Sequence, residues 1–176
     1  MTGLAAGADR EEVLKWLGDN GLREWLTPRE IKFADDPAPS EKQKNDMLWQ
    51  FERLVILLWS LGHVDELPAP DEQCDPSRFG HTMPPVSDES VQDFISHATT
   101  RPEGELRETC DEILHQHWEA REERRSGRKP SRPVEIEIAQ ERHHAINWIT
   151  GYDAAPWDEV TRDTWCPKQY RDGDCT

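Results

Sequence analysis

The chain has 176 residues, enough for one domain with its own core. Its formal charge of −15 argues against a nucleic-acid binder, because phosphate contacts need a basic face. Only 35% of the residues are hydrophobic, but eight are Trp, and disordered chains avoid aromatics. Each fully buried Trp can remove roughly 200 Å2 from water, so a few anchors suffice for a thin core.

In chain order, MTGLAAGADR lacks the basic leader and long apolar run of a secretion signal. Residues 1–8 read as a flexible end. Asp9 then caps a first helix with Glu12 three residues on, and Gly18 and Gly21 break it. Leu22 to Leu26 forms a short helical turn. Thr27-Pro28-Arg29-Glu30 is a start signal, in which Thr caps, Pro takes the first helical position and Glu closes the box. Ser40 with Gln43 opens the main helix. Its apolar stripe runs through Met47, Leu48, Phe51, Leu54, Val55, Leu58 and Trp59, widens with Leu57 and Leu61, and stops at Gly62. A helix apolar on so many sides belongs at the centre of a core. The apolar run Leu54–Leu61 is too short for a bilayer, which needs roughly 20 residues.

Val64 to Pro85 has no regular period and reads as a long connection laid over the core by Leu67, Phe79 and Met83. Ser87 is expected to cap the next helix, with Val91, Phe94, Ile95 and Ala98 inward. Pro102 starts another, with Leu106, Cys110, Ile113, Leu114, His117 and Trp118 inward, and Gly127 and Pro130 end it. The basic run Arg121 to Arg132 reads as a solvated helix end, its cations near the last carbonyls; contact with a phosphate or other anion is the alternative. Val134 to Ile138 alternates like a strand but also extends a helix through Ala145, Trp148 and Ile149; a lone strand has no partner, which favours the helix. From Tyr152, the segments WDEV and DTW suggest a turn laid back on the core by Trp157, Val160 and Trp165. Residues 167–176 read as a second flexible end. The fold class expected is all-α: one domain over residues 1–176, about six helices around the central apolar one. Cys74, Cys110, Cys166 and Cys175 show no CxxC and read as free thiols in a cytoplasmic protein.

Five stretches together carry a resemblance: Trp49 to Gly62 ending LLWSLG, DELPAPDEQCD from Asp65 to Asp75, the helix with HQHW ending at Trp118, ERHHAINWITG from Glu141 to Gly151, and WDEV followed by Asp163-Thr164. In order and spacing, over roughly Leu22 to Trp165, the chain resembles the bacterial domain of unknown function 4272 family. Ser60 stands where that family's pattern has Ala. The resemblance implies a helical fold. It implies no activity, and no catalytic residue is carried over from it.

The chemistry of individual residues leaves two classes of function open. Glu52 and Arg53 interrupt the central apolar helix, and Glu141 and Arg142 open the later block. Buried charges need partners, so an ion pair between the two helices is expected; the alternative is that each reaches water at a helix edge. His115, His117, His143 and His144 invite a metal. Yet HxH on a helix points its imidazoles about 200° apart, adjacent histidines diverge too, and no metal site is expected. Asn147 and Trp148 suit a pocket wall or a helix contact equally. No GxSxG, Gly-rich phosphate loop or Cys-His signature occurs, so neither a cofactor nor a catalytic residue is assigned. Acidic residues cluster in the connection (Asp65, Glu66, Asp71, Glu72 and Asp75) and in the tail (Asp153, Asp158, Glu159 and Asp163). They serve general solubility or, brought onto one face around Trp157, receive a basic protein partner. The first reading is therefore a non-catalytic interaction module, including an immunity-like protein that neutralises a basic toxin, with neither nucleic acid nor membrane as partner. Its binding residues would be Asp71, Glu72, Asp75, Trp157, Asp158, Glu159 and Asp163. The second reading is an enzyme with a carboxylate and histidine site around Glu141, His143 and His144.

Overall fold

Local capping chemistry sets the first helix starts. The computed structural model describes residues 1–163. Asp9 accepts from the Glu12 N–H at 2.9 Å and opens α2, Arg10–Asp19. Thr27 and Glu30 form a reciprocal capping box on α3, Pro28–Asp35, after a 3-10 turn at Arg23–Trp25. Ser40 and Gln43 form a second box on α4, Glu41–Ser60. Each box satisfies N–H groups that a helix start otherwise leaves bare.

The chain start departs from expectation. Thr2–Ala5 form a one-turn helix, α1, and Leu4 and Ala5 are buried with Phe33 and Met47. The cause is long-range: the apolar stripe of α4 begins at Met47, and α1 packs across α4 to cover it. No local pattern in MTGLAAGA announces that contact.

Beyond α4 the chain turns at Gly62, whose φ is +75°. A Cβ there would also lie 3.2 Å from the Thr99 carbonyl oxygen, a tight approach, so the backbone angle and the space both favour glycine. The following excursion carries a short helix α5, Pro76–Gly80, and a helix α6, Val91–His97. Leu67, Phe79 and Met83 pack on the core. The cap of α6 is Ser90, which accepts from Asp93 N; Ser87 instead lies in a turn, its N–H bonded to the Met83 carbonyl. Phe94 packs inward as expected, on the core and onto the His63 ring, whereas Ile95, the next residue round the helix and also expected inward, is exposed.

The two ends of the excursion are tied together. Thr99 N donates to Leu61 O at 2.8 Å and Arg101 N to Ser60 O at 2.9 Å. The Arg101 guanidinium also donates to the carbonyls of Trp59, Val64 and Asp65, at 2.7, 3.0 and 3.0 Å.

Helix α7, Glu103–Ser126, follows Pro102 and ends at Gly127, φ +72°. It buries Leu106, Ile113, Gln116, His117 and Ala120. Trp118, expected inward, is one position round from that face. It lies at the surface under the Arg128 guanidinium, 5.1 Å from its ring centre. Glu135 is extended and Val134 lies outside any helix, Glu135 N donates to Pro70 O at 2.9 Å, and α8 runs from Ile136 to Ile149. The expected helix thus begins two residues into the alternating stretch, and no strand occurs among the described residues.

Helix α8 packs against both α4 and α7. Val55, Ile56, Leu58 and Trp59 of α4 meet Leu106 and Ile113 of α7 and Ala145 and Ile146 of α8. The six helices read from the sequence are thus joined, among the described residues, by the short α1 and α5 in an all-α bundle. None of these helices is long and apolar enough to cross a membrane. Cys74 and Cys110 form no disulfide. Trp165, Cys166, Cys175, residues 167–176 and the side chain of Asp153 lie outside the description.

Candidate functional site

Two charge pairs cross between α4 and α8. Glu52 meets Arg142 at 3.0 Å, both almost fully buried, and Arg53 meets Glu141. The pairing is crosswise: on each helix one member of an adjacent pair takes the opposite charge of the other. Glu52 is also a tether, since its second oxygen accepts from Cys74 N at 2.6 Å. Arg142 donates onward to the carbonyls of Pro68 and Ala69, at 2.7 and 3.3 Å. This buried pair therefore pins the connection to the bundle. Burial and the nearby Glu52 carboxylate push the Cys74 thiol up to about 12, which removes it as a nucleophile near neutral pH.

The other pair extends toward solvent. The two Glu141 oxygens accept from Arg53 and from Arg162, the latter at 2.7 Å. Arg53 Nη1 lies 3.2 Å from His144 Nε2. Burial and this guanidinium hold His144 down to about 3. His143 points elsewhere, its Nδ1 3.0 Å from Nδ1 of buried His117. One of the two imidazoles donates and the other accepts, so the accepting ring is neutral. Burial lowers His143 to about 4, with Arg162 adding to the effect; burial and His143 lower His117 to about 3. Glu141 and His144 thus share Arg53, while His143 belongs to the α7 contact, and the three do not converge on one reacting centre. His115 is exposed beside Glu119. Among the described residues no three His, Cys, Asp or Glu side chains come close enough together to hold a metal.

The acidic residues divide. Asp71, Glu72 and Asp75 are exposed on the connection, and Asp75 caps α5. Asp158, Glu159 and Asp163 are exposed on the C-terminal segment. Asp158 accepts from Arg29 N at 3.0 Å and so caps the first turn of α3. The connection is held by Arg142, whereas Trp157 sits on His144, two positions along α8 and roughly opposite in direction. The two acidic groups therefore dock on different flanks of α8.

Trp157 is half-buried. Its ring makes edge contacts with His144 and Trp148, at centroid distances of 4.9 and 5.3 Å, and the Arg53 guanidinium lies 5.9 Å from its centre. Trp157 is one wall of a groove of about 340 Å3 that also takes in Trp25, Trp148, Leu54, Leu57 and Glu30. Trp25 is 79% exposed and Trp148 44%. Beside it, on the far side of Arg53, lies a polar cleft of about 260 Å3 lined by Arg29, Asp46, Trp49, Arg53, Glu137, Gln140, Glu141 and Arg162. Sequence reasoning marked Trp157, Arg53, Glu141 and Trp148 but missed Trp25, Arg29 and Arg162. Those come from separate segments, and no short-range spacing links them. Asn147, the other pocket candidate, is buried and donates to Thr161 O at 3.2 Å, which makes it a brace for the C-terminal segment.

No curated protein and no solved structure matches the chain. A family model does, over residues 2–160, which include α1 to α8, all of the groove except Met1, and all of the cleft except Arg162. By that match the chain belongs to the family described as Domain of unknown function (DUF4272).

Proposed function

We propose that the protein is a non-catalytic interaction module that receives a basic protein partner on the Trp-lined groove. The observation behind this reading is the meeting of Trp25 with Trp148 and Trp157, from opposite ends of the chain, on one apolar surface, with Trp25 largely in water and Trp148 partly so. Exposed indoles are costly to leave in solvent, and Trp is among the residues that dominate binding energy at interfaces. Acidic side chains adjoin them: Glu24 follows Arg23 and precedes Trp25, Glu30 lines the groove, and Asp158 and Glu159 follow Trp157. In a chain of net charge −15 such a rim speeds the approach of a cationic partner. Asp71, Glu72 and Asp75, on the other flank, add to the general field rather than to the contact. Asp163, close enough to His143 to act on it electrostatically, lies toward the C-terminal segment.

Trp25→Ala tests the reading, because Trp25 is exposed enough that its loss should change stability by less than about 0.5 kcal/mol. Capture from extracts of the source cells should yield a stoichiometric basic partner with the wild-type chain and lose it with Trp25→Ala at an unchanged urea midpoint. In the same assay Glu24→Gln/Glu159→Gln should slow association, most at low salt. Equal capture by Trp25→Ala, or no partner with the wild type, would remove the groove as a docking site.

A further inference from the structure

The polar cleft beside the groove poses a separate chemical problem. Arg29, Arg53 and Arg162 reach it from α3, α4 and the C-terminal segment. Arg53 is only 6% exposed, so its guanidinium has given up most of its water. Glu141 is the carboxylate that touches both Arg53 and Arg162, one oxygen to each. The other two carboxylates of the lining are held from outside it: Glu137 by Arg124 at 2.9 Å, and Asp46 by Lys42 at 3.0 Å, with Arg29 farther off at 3.7 Å. Asp158 meets the backbone N–H of Arg29 rather than its guanidinium. The lining itself thus carries three arginines and three carboxylates, and two of those carboxylates are drawn outward by Arg124 and Lys42, which leaves Glu141 as the carboxylate shared by Arg53 and Arg162. Arg162 and Arg29 both act against the charge on Arg53, as like charges in close quarters do. Of the Arg53 nitrogens, Nε is bonded to Glu141 and Nη1 faces His144, while Nη2 makes no hydrogen bond among the described residues.

From this geometry we infer that the cleft binds a small organic anion. Its carboxylate or phosphate head bridges Arg53 and Arg162, Arg29 closes the third side, and its flat body lies against Trp49. Guanidinium forks match the oxygens of either head group, and a charge-assisted pair in a partly desolvated cleft is stronger than one at the open surface. Trp49 stands four residues before Arg53 on α4, so one turn of helix places an indole next to the buried cation. Gln140 supplies a neutral amide for orientation. The cleft, at about 260 Å3, sets the ligand size to that of a small metabolite rather than a peptide.

Isothermal titration of the full chain with benzoate, phenyl phosphate and inorganic phosphate, all at one fixed ionic strength, tests the inference. Saturable one-to-one binding of benzoate or phenyl phosphate in the sub-millimolar range is expected, and the preference between them separates a carboxylate ligand from a phosphate one. Arg162→Gln should weaken it by about tenfold or more, the loss of one charge-assisted contact. Should that variant shift the urea midpoint, Arg29→Gln, half-exposed and on another element, takes its place. Lys15→Gln on α2, outside the cleft, makes the same change in net charge and should leave binding intact. Trp49→Leu should weaken benzoate and phenyl phosphate but not inorganic phosphate. No saturable heat with any of the three probes would overturn the inference. So would equal weakening by Lys15→Gln and the arginine variant, which would reduce the effect to diffuse charge.

Discussion

Replacing Arg142 by Leu isolates the buried charge pair that anchors the connection. Glu52 is 1% exposed and Arg142 3%, so removing the cation strands a carboxylate in the core. Breaking a buried pair from one side costs about 3–5 kcal/mol, mostly the penalty of the uncompensated charge. The loss of hydrogen bonds to Pro68 O and Ala69 O places this site toward the upper end. A domain of this size is typically stable by about 5–15 kcal/mol, so the variant should fold but with much of its margin gone. The double variant Glu52→Leu/Arg142→Leu removes the stranded charge and should recover most of the loss. It should not recover all of it, because Cys74 N then lacks its acceptor, a residue of about 1–3 kcal/mol. Urea denaturation of wild type, both singles and the double gives the coupling energy directly. Coupling below about 1 kcal/mol, or an Arg142→Leu loss in the surface range, would mean that the pair is wetter than its burial indicates and that the argument from desolvation fails.

Two further outcomes follow from the core. Leu58, 2% exposed at the centre of α4, should cost about 2–5 kcal/mol when changed to Ala, read from the same denaturation curves; a loss under about 0.5 kcal/mol would misplace the helix. His117, His143 and His144 have folded values of about 3, 4 and 3, below the ordinary 6.5, so the unfolded chain takes up protons first as pH falls. Their neutral burial is tolerated in full above the unfolded value, and stability drains away between that value and the folded ones. The slope is up to about 1.4 kcal/mol per pH unit for each histidine, and the loss stops once pH is below the folded values. Urea midpoints at pH 7.5 and 5.5 span a window above most carboxylate titration; equal midpoints would show that the three imidazoles are not buried neutral.

What could be read in advance tracks the range of the interaction. The two capping boxes, at Thr27 with Glu30 and at Ser40 with Gln43, depend on residues three apart, and both were legible. So was the need of Glu52, Arg53, Glu141 and Arg142 for partners, because charge inside an apolar stripe is itself the signal. The crosswise choice of partner was not, since it depends on how α4 and α8 rotate against each other. Helix α1 escaped notice because its burial is set by Met47, more than forty residues on. Ser87 and Ser90 offer the same capping hydroxyl three residues apart, and the Met83 turn takes up Ser87. The groove and the cleft were the least legible. Trp25, Trp148 and Trp157, like Arg29, Arg53 and Arg162, become neighbours only once the bundle has formed. Whether the two acidic segments share a face was open in the sequence, because composition does not say where a loop docks; Arg142 and His144 hold them on different sides of one helix.

The knot of hydrogen bonds at Ser60, Leu61, Thr99 and Arg101 bears on how this chain tolerates change in length. It clamps the two feet of a long excursion whose first part is also pinned to the bundle by Glu52, Arg142 and Phe79, so the freedom that remains lies in the stretch beyond Met83. Closing a flexible loop costs entropy only logarithmically in its length, about 0.6 kcal/mol for each doubling. Insertions near Val86, exposed and far along the chain from both the clamp and the Cys74 tether, should therefore be absorbed without disturbing α4, α7 or α8. Relatives of this chain can be expected to differ most in length there, and a reporter peptide or a second domain grafted at that point would ride on the bundle without rewriting it.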